Sequence, residues 1–194
     1  MGRIKSALEI ALEKTESVKG DKSSITQFKA KQWGKRQASE FLEGKGDLKK
    51  AMKETPEDER ESFRQGVFEF LLAQIGLPVS EGDIKKIENV GKALALIIAD
   101  GGFIKLYDQL AGALGRYLDE AAQYDEAIKR QYAPKLRQKE EELSRRMGRE
   151  IRIDPFQDPE FVTFYNQNIN ALKANYESAI AQVKERAQVS FDKQ

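Results

Sequence analysis

The chain has 194 residues, enough for one domain with an appendage, and 34% of them are charged against 40% hydrophobic. Its 33 basic and 32 acidic side chains nearly cancel, so global charge gives no reason to expect nucleic acid or an acidic membrane as partner. The absence of cysteine and of histidine excludes disulfides, thiolate nucleophiles, zinc–thiolate and HExxH sites, Ser-His-Asp and Cys-His catalysis, and di-iron sites built on Glu-x-x-His pairs.

The first apolar face, Ile4, Ala7, Leu8, Ala11 and Leu12, has helical spacing and predicts a helix from Arg3 to about Ser17, broken by Gly20 and Asp21. Met1-Gly2-x-x-x-Ser6 matches the myristoylation pattern, which is short and common by chance. Glu9 interrupts the apolar run before it could act as a signal sequence, and no stretch reaches the ~18 apolar residues of a membrane span. A cytoplasmic location follows as the expectation.

Ser23 or Ser24 is placed to cap a second helix, Ile25 to about Glu43, with Ile25, Phe28, Trp33, Phe41 and Leu42 as anchors. Within it, Phe28 and Trp33 interleave with Lys29, Lys31, Lys35 and Arg36 and no acid intervenes. Rings and cations in one patch can stack bases and neutralise phosphates, or lie at a lipid surface. Helical geometry limits this, since Lys29, Trp33 and Arg36 share one flank while Lys31 and Lys35 point elsewhere.

A short helix from Leu48 to Glu54 follows. "TPEDE" then starts another, with Thr55 as cap, Pro56 in the first position and acids where the dipole favours them. Phe63, Val67, Phe70, Leu71 and Ile75 are its apolar positions. The next helix, about Glu81 to Ala99, ends in "KALALIIA", apolar nearly all round, and reads as the central buried helix, terminated by "DGG".

Phe103, Tyr107, Leu110, Leu114, Tyr117, Ala121, Tyr124 and Ile128 recur at spacings of four and three. They predict one long helix, Gly102 to about Met147, in spite of Gly112, Gly115 and Pro134. Tyr132, Leu136, Leu143 and Met147 resume the stripe after a one-residue slip at the proline, which a kink or a break would each explain. Gly148 ends this helix. Asp158 caps the last one, with Pro159 at its first position, running to about Val189 along Val162, Tyr165, Ile169, Leu172, Tyr176, Ala179 and Val183.

A short connection between two such helices makes them antiparallel neighbours. The expectation is therefore all-α: a multi-helix base over 1–115, followed by a kinked, coiled-coil-like antiparallel hairpin over 116–194 with its tip loop at 148–158. The first half of the long helix, Phe103 to Leu114, is expected to pack on the N-terminal helices. Six tyrosines occupy seam positions that aliphatic residues fill in a simple zipper, so each buried hydroxyl needs a partner. The seam is either an irregular intramolecular one or a homotypic interface between two chains.

At the tip, Arg145, Arg146, Arg149 and Arg152 cluster near Phe156 and form the candidate partner-binding surface, with Glu140, Glu141, Glu142 and Glu150 at pairing distance along the chain. Neither "NVGKA" nor "EGKGDL" satisfies a phosphate-loop pattern, and no catalytic, metal or cofactor site is expected. The reading is a non-catalytic interaction or scaffolding protein whose partner is another protein or a second copy. The alternative is a nucleic-acid-binding protein using 27–36 and 145–152.

Overall fold

The computed structural model describes the backbone of residues 7–193 and the side chains of residues 23–193. The Met1–Ser6 match and the side chains of the first apolar face lie outside the described residues. Among the described residues the fold is all-α, with helices α1 (Ala7–Leu42), α2 (Leu48–Glu54), α3 (Arg60–Ala73), α4 (Glu81–Ile97), α5 (Gly101–Met147) and α6 (Pro159–Phe191). No helix among them is long and apolar enough to cross a membrane. The chain divides into two packed units, one built from residues up to Ile75 together with Asn89–Ala99, the other from Gly76–Glu88 with Asp100–Lys193. Residues 101–115, expected with the base, fall in the second unit.

In the first unit, the expected break at Gly20–Asp21 does not occur, and α1 is one helix of 36 residues. A single glycine costs ~1 kcal/mol inside a helix, less than orphaning the donors and acceptors of two new helix ends. The expected anchors Ile25 and Phe28 are exposed, and the face that packs carries the small residues Ala30, Gly34 and Ala38. Small residues are needed because α1 and α3 run antiparallel at very short range. A Cβ added at Gly34 would fall 2.2 Å from the Phe63 carbonyl oxygen, and one at Gly66 2.0 Å from that of Lys31. Trp33 lies against Phe63 with ring centroids 5.0 Å apart.

The helix α2 has the expected bounds, capped by Asp47, whose carboxylate accepts from the Lys50 N–H. Thr55 is not a cap. Its side chain is buried, its Oγ1 donates to the Ala51 carbonyl, and a 3-10 turn over Glu57–Glu59 precedes α3. On α3, Phe63, Val67 and Leu71 are buried as expected, and Phe68 takes the buried place given to Phe70. Ala93, Leu94, Ile97 and Ile98 supply the buried face of the "KALALIIA" segment, continued one turn back by Val90. The Arg64 guanidinium donates to the Ile97 carbonyl at 3.0 Å, satisfying one acceptor that the end of α4 leaves open.

In the second unit, Asp83 reaches back to accept from the Val79 and Ser80 N–H groups and the Ser80 hydroxyl, each at 3.0 Å, closing the start of α4. Asp100, expected as part of a helix end, is the N-cap of α5: its Oδ1 accepts from the N–H groups of Gly102 and Phe103. The helix then runs 47 residues, ~70 Å, straight through Pro134 in the hydrogen-bonding sense. Ile128 and Tyr132 before the proline and Leu136 after it pack into one cluster with Phe161, Phe164 and Tyr165, so packing on both sides offsets the one lost backbone bond. Gly148, left-handed at φ 64°, ends the helix as expected.

The helix α6 begins at Pro159 behind its cap Asp158 and lies antiparallel to α5. Its seam differs from the expected one. Phe161 is buried where Val162 was expected, and near the far end Ile180, Val183, Ala187, Ser190 and Phe191 are buried. Ile169, Leu172 and Tyr176 are half-buried, which is what two helices without a third can achieve. The pairing extends to the very start of α5, where Ser190 Oγ donates to Asp100 Oδ2 at 2.7 Å and Arg186 at 3.0 Å.

Candidate functional site

The hairpin is closed by a network of charges around one buried carboxylate. The side chain of Asp158 is 5% exposed and receives the Lys139 ammonium at 2.8 Å on Oδ2 and 2.9 Å on Oδ1. It also caps α6 through the Glu160 N–H at 3.0 Å and accepts from the Tyr132 hydroxyl at 3.2 Å. Glu160 in turn receives Lys135 at 2.7 Å and Lys139 at 3.1 Å.

Burial opposes ionisation of Asp158, but the Lys139 ammonium, the Glu160 N–H and the Tyr132 hydroxyl outweigh it and hold the carboxyl below its usual range. The hydrogen bond to Asp158 holds Lys139 above its usual range, and that to Lys135 lowers Glu160. Burial and the hydrogen bond to Asp158 raise Tyr132. Every member of the set has its partners, and no buried side-chain polar atom among the described residues lacks one.

The connector beyond Gly148 is fixed by the same helix it leaves. The N–H of Ile151 donates to Ser144 Oγ and that of Ile153 to Glu140 Oε1, both at 2.9 Å. Two residues of extended chain span ~6.6 Å and four of helix ~6 Å, so alternate connector amides meet successive turns of α5. Phe156 stacks edge-on against Phe161 and Tyr165, each at 5.2 Å, yet remains 51% exposed. On either side of the connector lies an open groove. One, about 380 Å³, is lined by Arg137, Glu140, Ser144, Arg145, Ile151 and Arg152 among others. The other, about 460 Å³, holds Leu143, Ile153 and Pro159 between Lys139, Glu142 and Arg146. Leu143 and Met147, one turn apart on α5, are 39% and 59% exposed.

The tip arginines are mostly engaged. Arg145 pairs with Glu141 at 3.7 Å and Arg146 with Glu142 at 2.5 Å, while Arg152 meets Glu150 at 3.0 Å and Glu140 at 3.9 Å. Arg149 makes no ion pair among the described residues. Such exposed pairs contribute little to stability, but they leave few cations free at the tip.

The six candidates on α1 separate onto two flanks. Lys31 and Lys35 turn to one carboxylate, Glu69 of α3, at 2.6 and 3.0 Å. Phe28, Lys29, Trp33 and Arg36 line, with Gln32, a shallow groove of about 500 Å³.

Three further seam tyrosines besides Tyr132 find acceptors for their hydroxyls. Tyr107 donates to the Ile87 carbonyl at 2.8 Å, Tyr165 to Asp125, and Tyr176 to Glu120. The ring of Tyr176 stands edge-on to Tyr117 at 4.9 Å. Burial and the bond to Glu120 push the Tyr176 hydroxyl up to about 12. The contribution of Lys139 and Asp158 was not visible in the sequence, because the two lie 19 residues apart across an irregular connector. Only the capping pattern at Asp158-Pro159-Glu160 hinted at one of them.

Among the described residues no group of acidic side chains is arranged to hold a metal ion. Neither a curated protein nor a solved structure matches the chain. The pattern of one protein family spans residues 49–188, from α2 to the last turns of α6, and on that match the chain belongs to a family of unknown function, DUF6657.

Proposed function

We propose that this chain is a non-catalytic cytoplasmic interaction or scaffolding protein that contacts a protein partner, or a second copy of itself, through the end of its helical hairpin. The observation that carries the reading is the exposure of Leu143, Met147 and Phe156 beside two grooves on a tip held rigid by the Lys139–Asp158 pair. Exposed apolar side chains on a fixed frame bind without the entropy of ordering a loop, and grooves beside them accept a partner's side chains. Lys135, Lys139, Asp158 and Glu160 at the tip are all paired with one another, so these features support recognition over acid–base chemistry.

The test is a pull-down from the native host with the wild-type chain and with Leu143→Glu/Met147→Glu, together with light scattering on both. A partner, or a dimer, recovered with the wild type and lost in a variant of unchanged melting temperature supports the reading. Identical recovery with both proteins, or a wild-type monomer that retains nothing, defeats it.

A further inference from the structure

We propose that the outward face of α1, from Ile25 to Arg36, is a second docking surface, and that its occupant is an acidic amphipathic helix of a partner protein. The surface is independent of the hairpin tip.

The opposite side of α1 is committed to α3 through Ala30, Gly34 and Ala38. At 100° per residue, Ile25, Lys29, Gln32 and Arg36 lie on the side facing away from that contact, with Phe28 and Trp33 at its two edges. Ile25 is 55% and Phe28 62% exposed, an unusual expenditure of large apolar groups on one short stretch of surface. The groove beside Phe28 contains no acid in its lining. Lys29 makes no ion pair among the described residues, and Arg36 reaches a carboxylate, Glu40, only at 3.8 Å with its own side chain 69% exposed. The cations on the neighbouring flank, by contrast, are neutralised by Glu69.

The cations of this face are thus Lys29 and Arg36, seven residues apart, ~10.5 Å along the axis, beside Ile25, Phe28 and Trp33 at spacings of three and five. The two cations stand one heptad apart, and the complementary occupant is a helix with a Glu or Asp at that spacing and an apolar face that meets Phe28 and Trp33. A nucleic-acid strand fits less well. Its closely spaced phosphates call for a denser row of cations, and the Glu69 carboxylate stands on the adjoining flank.

Trp33 is the only tryptophan of the chain and lines this groove, so its emission reports occupancy directly. The full chain is titrated with four probes. They are a synthetic three-heptad helix with Leu at its seam and Glu beside it, the same helix with Lys in place of Glu, oligodeoxythymidine, and phosphatidylglycerol-containing vesicles. The proposal expects a saturable blue shift with the Glu helix alone, weakened at least tenfold in Lys29→Glu/Arg36→Glu, with that variant gaining affinity for the Lys helix. Equal binding of both helices, no shift with either, or a shift with the oligonucleotide or the vesicles in place of the Glu helix overturns it.

Discussion

Lys139 of α5 sits 2.8 Å from Asp158, the residue that caps α6, so a single carboxylate both starts one helix and fastens it to the other. The far end of the hairpin repeats the arrangement with the roles exchanged. There Asp100 caps α5 and receives Arg186 and Ser190 from the end of α6. Each helix is thus initiated by the residue that holds its partner, and the register of the hairpin is specified at both ends.

The pH dependence follows from the direction of the shifts. A carboxyl lowered by folding contributes stability that is complete above its ordinary value of 3.8 and is lost as pH falls through the lowered one. A raised ammonium contributes stability that is complete below 10.5 and is lost as pH rises beyond it. The wild-type hairpin is therefore expected to hold a plateau from about pH 4 to about pH 10 and to loosen in acid. Asp158→Asn should shrink the acid limb, to which Glu160 and Asp100 still contribute, and lower the plateau, and Asp158→Ala should cost about 1 kcal/mol more by removing the cap. Thermal melts followed by circular dichroism across about pH 2–8 check both; an unchanged acid limb in Asp158→Asn contradicts the assignment.

The glycines of the chain separate into two kinds that a pair of substitutions distinguishes. Gly34 and Gly66 admit a neighbouring backbone where a Cβ would stand 2.2 and 2.0 Å from a carbonyl oxygen, whereas nothing lies within 4 Å of a Cβ at Gly112. Gly66→Ala should separate α1 from α3 and destabilise by about 2–3 kcal/mol. Gly112→Ala, in the open, should stabilise by about 0.5–1 kcal/mol through helix propensity. Denaturant unfolding of the two variants is expected to move in opposite directions.

The tyrosine seam is expected to discriminate between ring and hydroxyl. Tyr176→Phe keeps the edge-on contact with Tyr117 and loses only the bond to Glu120, a cost of about 0.5–1 kcal/mol. Tyr176→Ala loses the ring pair as well and should cost more by about 1 kcal/mol or above. Because the neutral phenol is favoured in the fold, its contribution is complete below the ordinary value of 10.0 and fades as pH rises through about 12. Tyrosinate absorbance should accordingly lose part of its late-titrating component in the Phe variant.

The connector amides give a local readout. Ser144→Ala with Glu140→Ala removes the acceptors of the Ile151 and Ile153 N–H groups. Hydrogen exchange over 148–154 should quicken severalfold while the cluster of Ile128, Tyr132 and Phe161 keeps its protection. Equal protection in the variant would mean that the connector is held by other contacts.

What could be read from the chain alone was everything governed by local geometry. The 3.6-residue period, the Asp-Pro-Glu start of α6, the left-handed stop at Gly148 and the bounds of α2 all follow from backbone sterics and from groups within one turn. The pairing of Arg145 and Arg146 with Glu141 and Glu142 was legible for the same reason, since four-residue spacing is a contact on any helix. The tertiary structure decided what one helix demands of another. Gly34 in "QWGKR" is a notch for the backbone of α3, and Lys31 and Lys35 beside it answer Glu69, 34 or more residues away. The continuity of α5 through Pro134 likewise depends on aromatic rings from α6 packing on both sides of it. A periodicity records that a side chain faces inward, but which atom it meets depends on register and distance between helices, and those are set only when the faces close together.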